Sequence, residues 1–154
     1  MNSVFDRYKK MQEKFRLPQL DELEKRFKLD LVEEGEIFDQ IRLEISEKLF
    51  NFSEKIIEPI VMGSDSLCGM FEQDMITTEE RDRLFELYKK IQVLKWENNI
   101  LAIRPNEAET ARWIRKTWNF WDSELEVELS RICKKLSFSW ESLELENKKT
   151  DYHG

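Results

Sequence analysis

Ile37, Ile41, Ile45, Leu49, Phe52, Ile56 and Ile60 follow one another at intervals of three and four residues. Wound at 3.6 residues per turn, that spacing gathers seven apolar side chains into one stripe, whereas a strand would scatter them over both faces. A stripe of that length has to be buried against another element. The pattern therefore predicts a helix over about 36–61, with Pro59 kinking or ending it near its last turn.

Two further stripes have the same character. Leu84, Tyr88, Ile91, Leu94, Asn98 and Leu101 share one face of a helix that starts at Thr77, where Glu80 three residues later completes a capping box. Pro105 and Asn106 break and restart the chain. Ala111, Ile114, Trp118, Trp121, Leu125, Leu129, Ile132 and Leu136 then form the seam of a last helix over about 106–137, close to a heptad with one irregular step. Shorter helices are expected over 2–16 (Val4, Phe5, Tyr8, Met11, Phe15) and, with Pro18 tolerated at its start, over 19–28. "LDLVEEGE" reads as a connector with Gly35 at a turn, and a helical turn near 65–72 is expected to pack as a lid.

The chain has only four glycines and three prolines in 154 residues, too few turn formers for an all-β protein. The expected fold is all-α: an antiparallel helical bundle of three long helices plus short N-terminal helices. Residues 1–140 are expected to form a single domain. After Leu136 the period fades, and 141–154 is expected to be a mobile tail.

A formal net charge of -7 argues against broad binding to nucleic acid or anionic lipid. Cys68 and Cys133 form no CxxC pair and read as reduced thiols, with Cys133 packed beside the seam and Cys68 in the lid. "MNSVFDRYKKMQEKF" carries charges every few residues, so no signal peptide is read there. No apolar run approaches the roughly 20 residues that span a bilayer, so no membrane association and a cytoplasmic location are expected.

"RWIRKTWNFW", residues 112–121, breaks the acidic background with three tryptophans, a phenylalanine and three cations. Ile114, Trp118 and Trp121 continue the seam and are expected in the core. Trp113 and Phe120, seven apart, lie off it, with Arg112 and Lys116 nearest to them. Such a basic-aromatic strip packs under a neighbouring helix, binds a protein partner, or stacks bases and neutralises phosphates. The acidic run Asp122, Glu124, Glu126 and Glu128 weakens the nucleic-acid reading.

The sequence is poor in catalytic parts. Its one histidine is His153, and it has no GxxxxGK[ST] or GxGxxG motif. Glu44 with Glu47, and Glu79 with Asp82, give an ExxE and an ExxD helix, which resemble in outline the Mg²⁺ site of MazG-like nucleotide pyrophosphohydrolases. In a chain with 32 acidic residues, a solvated face explains such pairs as well. The run "LPQLDELEKRF", "FDQIRLEISEKL", "IIEPI", "ITTEERDRLFELYKKIQVL" and a Trp-rich helix, over residues 17–121, resembles small all-helical archaeal proteins of uncharacterised function. That resemblance implies a cytosolic helical protein and supplies no site residues.

The resulting expectation is a non-catalytic interaction or scaffold protein with no metal or cofactor. It binds a protein partner or self-associates through exposed aromatic and charged helix faces, with Arg112, Trp113, Lys116 and Phe120 as contacts. The alternatives are a nucleic-acid-associated protein using the same strip and a Mg²⁺-dependent nucleotide pyrophosphohydrolase.

Overall fold

In the computed structural model the backbone of residues 4–31 and 36–151, and the side chains of 5–31 and 36–143, are described. Every regular element among them is helical. Helix α1 spans Val4–Phe15 and α2 spans Leu20–Phe27; α3, Ile37–Phe52, runs through a π-helical turn at Ser53–Ile57 into α4, Glu58–Met62. Next come α5, Leu67–Met75, and α6, Thr78–Ile103. Finally α7, Glu107–Phe120, passes through a second π-helical turn at Trp121–Leu125 into α8, Glu126–Asp151. The connector turn expected at Gly35 lies outside the described residues.

The three stripes are buried together. Ile41, Ile45, Leu49, Leu84, Ile91, Leu94, Ile114, Leu125 and Ile132 are all at most 1% exposed and belong to one connected core. Helix α7 touches α1, α3 and α6, and so is covered from several sides. Phe27 of α2 lies 5.3 Å from the ring of Trp121 and 6.3 Å from that of Trp118, and Phe52 of α3 stacks on Trp121 at 5.6 Å. The aromatic pairs thus pin the short α2 against the last long helix.

Pro59 neither ends nor breaks its helix. A proline cannot donate the hydrogen bond that the turn before it expects, and the π turn at Ser53–Ile57 immediately upstream takes up the misfit. The extra residue rotates the rest of the helix about its axis. The buried set becomes Leu49, Ser53, Ile57 and Ile60, while Phe52 and Ile56, expected on the stripe, are only half-buried. The chain turns at Gly63, whose φ of +91° suits glycine. Ser66 then caps α5 by accepting from the Gly69 amide. No residue of α5 is buried; Phe71 touches Trp140 of α8, ring centroids 4.5 Å apart, and Trp140 Nε1 donates to Glu72. The helical turn expected near 65–72 is present as α5, and it is tied down further by Gln73, whose side chain donates to the Pro59 carbonyl at 2.9 Å, and by Arg81, which donates to the Gln73 carbonyl at 3.3 Å.

Helix α8 continues to Asp151, through the segment expected to be a tail. Cys133, expected beside the seam, is exposed, as is Cys68. Both thiols are expected to react with Ellman's reagent in native buffer at the rate of a solvent-exposed thiol. A fraction reacting only on addition of urea would contradict this placement.

Candidate functional site

The face formed by α6 and α7 holds all four contact residues expected from the sequence, in a different arrangement from the one expected. Trp113 is 3% exposed and Phe120 is 7% exposed. Trp113 Nε1 donates to the Leu94 carbonyl at 3.0 Å, so the indole is held inside by its ring area and by its one polar atom. The aromatic half of the strip is therefore core, and the expectation that it is displayed to a partner is corrected. The cause is the breadth of coverage of α7, which buries more than one stripe of its surface.

The cations of the strip remain outside, but they are engaged. Arg112 is paired with Glu109 one turn away, and Lys116 reaches across to Glu97 of α6 at 2.6 Å. Lys90 of α6 meets Glu124 of the last helix at 2.7 Å and stands 5.9 Å over the Phe120 ring. Arg83 approaches Glu128 at 3.9 Å. Residue numbers fall along α6 as they rise along the last helix, so these pairs form rungs between the two. Each is solvent-exposed and adds little stability by itself.

Two shallow clefts lie beside the Lys116–Glu97 rung, one on each side of it. One, of about 390 Å³, is lined by Ile100 and Leu101 of α6, by Arg104 just past its end, and by Arg112, Trp113 and Lys116 of α7. The second, of about 440 Å³, is lined by Val93 and Leu94 on one side and Lys116 and Phe120 on the other. Trp113 and Phe120 are thus visible only as edges of the floor.

The surface aromatic that the strip was expected to provide stands instead on α6. Val93, Trp96, Ile100 and Ile103 are 52%, 63%, 60% and 77% exposed. They recur at three, four and three residues along the side of α6 facing away from its buried set. The signal was present in "VLKWENNILAI", but it lay beside a stronger stripe on the same helix.

A second cluster ties α6 to α8. The Glu80 carboxylate accepts from the Thr77 amide at 2.9 Å, closing the capping box, and also from Arg131 at 2.7 Å and from Lys135. Burial alone would raise its pKa. The hydrogen bonds from Lys135, the Thr77 amide and Arg131 outweigh this and hold the carboxyl down at about 2. Both of its oxygens are engaged within the chain, so this cluster is a structural tie.

The paired carboxylates do not meet. Glu44 accepts from the Asp30 amide at 2.7 Å, and among the described residues no group of three or more His, Cys, Asp or Glu side chains is placed to hold a metal ion. No helix there is long and apolar enough to cross a membrane. Compared with known proteins, the chain matches no family model, no curated protein and no solved structure.

Proposed function

We infer that the protein is a non-catalytic interaction or scaffold protein, an antiparallel bundle of three long helices that offers the outer face of α6 to a macromolecular partner. The observation that carries this reading is the contiguous row Val93, Trp96, Ile100 and Ile103, each more than half exposed. Single exposed apolar residues are ordinary on protein surfaces, but a row at helical spacing with a tryptophan in it has the composition of an interface. The helix that presents the row is joined to α7 through the buried Trp113 and its hydrogen bond to the Leu94 carbonyl.

A nucleic-acid interface on the Arg112–Lys116 strip loses support, because both cations are already neutralised by acidic neighbours and the two aromatic rings are buried. The test is affinity purification of the tagged full chain from its native cell, with and without nuclease, beside Trp96→Lys. A nuclease-resistant partner retained by the wild type and lost by Trp96→Lys is the expected result. Partners lost on nuclease treatment would overturn it.

A further inference from the structure

Helix α6 is apolar on two opposite sides. Leu84, Leu87, Ile91, Leu94 and Leu101 are sealed in the core. Val93, Trp96, Ile100 and Ile103 stand in solvent on the other side, at the three-and-four spacing by which one helix receives another. From Val93 to Ile103 the row is about 15 Å long, at ~1.5 Å per residue.

Charge sets this stretch apart from the rest of the chain. Residues 88–104 hold Lys89, Lys90, Lys95 and Arg104 against Glu97 alone, a net of +3. The whole chain carries -7, which leaves -10 for the remainder. Three of the four cations border the row. Lys89 lies in line with it, one turn before Val93. Lys95 stands on the flank away from α7, and Arg104 lines the cleft beside Ile100. Lys95 and Arg104 are exposed, and among the described residues neither side chain has an ion pair. Lys89 is paired with Glu86 at 2.8 Å, a surface contact that a competing carboxylate can replace at little cost.

We propose, building on the interaction reading above, that the partner segment seated on this row is an acidic amphipathic helix. Its apolar side chains, spaced by three and four, lie against Val93, Trp96, Ile100 and Ile103. Its flanking Asp and Glu side chains reach Lys89, Lys95 and Arg104. Both halves of the match come from one stretch of sequence, "KKIQVLKWENNILAIR". An anionic bilayer or a nucleic acid would also meet these cations, but each extends well beyond the row and is repelled by the acidic remainder of the chain. A helix of a few turns covers the basic stretch alone. A second copy would set the same basic stretch against itself, and like charges placed opposite one another are unfavourable.

The experiment titrates the full chain against a fluorescently labelled synthetic helix of about 18 residues, about 27 Å long. The peptide carries Leu at the a and d positions and Glu at the positions on either side, and fluorescence anisotropy reads its binding. Expected is a Kd on the order of 10–100 µM, as suits a small transient interface. Trp96→Ala is expected to weaken binding at least about tenfold. The double variant Lys95→Glu, Arg104→Glu is expected to do the same, and so is replacing every Glu of the peptide by Lys, each by at least about tenfold. Val127→Ala, at an equally exposed apolar position on α8, should leave binding unchanged.

Failure of the acidic peptide to bind overturns the proposal, and so does equal binding of the Lys peptide. Binding indifferent to Trp96→Ala would place the peptide on another surface and overturn it too. Vesicles of equal parts phosphatidylcholine and phosphatidylserine are expected to leave the chain in solution. Co-sedimentation abolished by Trp96→Ala would make a membrane the occupant instead. A dimer in sedimentation equilibrium that Trp96→Ala dissociates would make it a second copy. If the acidic peptide fails while the full chain still captures a nuclease-resistant partner that Trp96→Lys loses, only the acidic helix falls and the interaction reading stands.

Discussion

Trp113→Ala is expected to lower stability by about 3–5 kcal/mol, the range for truncating a buried aromatic to alanine, and to lower the melting temperature by roughly 10 °C. The side chain is 3% exposed and its only polar atom is bonded to the Leu94 carbonyl. Truncation therefore leaves a large cavity between α6 and α7 and an accepting carbonyl without its donor. Two companion variants separate these contributions. Trp113→Phe keeps most of the ring and removes the N–H, so a loss of about 1–2 kcal/mol is expected. Arg112→Ala, next in sequence but on the surface with only Glu109 as partner, should change stability by less than about 0.5 kcal/mol. Urea unfolding followed by far-ultraviolet circular dichroism reads all three. If Trp113→Ala unfolded at the wild-type midpoint, the indole would not be in the core.

The second large effect is expected at Glu80. Its carboxyl has a pKa of about 2 in the folded chain against an ordinary 4.5. The folded state therefore favours the charged form, and the unfolded chain takes up the proton first as pH falls. The stabilisation is fully present above about pH 5 and disappears progressively toward pH 2. Its size is on the order of 3 kcal/mol, since a tenfold difference in proton affinity between the folded and unfolded chain corresponds to about 1.4 kcal/mol. Glu80→Gln keeps the shape but not the charge. It should unfold about 2–3 kcal/mol more easily at pH 7, leave Lys135 without an opposite charge, and converge with the wild type near pH 2. The check is denaturant unfolding at several pH values between about 2 and 7. A Gln variant offset from the wild type by the same amount at every pH would contradict the role given to the charge.

The helices were legible because each long one has a strong periodic stripe, and the start of α6 was legible because a capping box is a local motif whose partners are three residues apart. What spacing cannot convey is how wide an arc of a helix is covered. Trp113 and Phe120 lie off the main seam, yet α7 is flanked by several helices and both rings are enclosed. The exposed stripe of α6 had the same three-and-four spacing as the buried one, and spacing alone does not say which of two stripes faces inward. Arg42 was hidden for another reason. It is 5% exposed, and its guanidinium donates to Asn98, which also accepts from Ser46. Asn98 in an apolar series was the trace left in the sequence, but its partner is 56 residues away, and no local pattern links the two.

The π turn at Trp121–Leu125 has a consequence for how the chain tolerates insertions and deletions. It holds one residue more than an α-helical turn of the same rise would, and that surplus is taken up within the turn itself. Removing Ser123 takes out that surplus, so the backbone relaxes to uninterrupted α geometry with the following helix at nearly its original angle. Arg131 and Lys135 would then still reach the buried carboxylate at the head of α6. The bulge holds a spare residue in the middle of one rod, so a single deletion is expected to be tolerated there, whereas a single deletion within α8 would turn everything beyond it by about 100°.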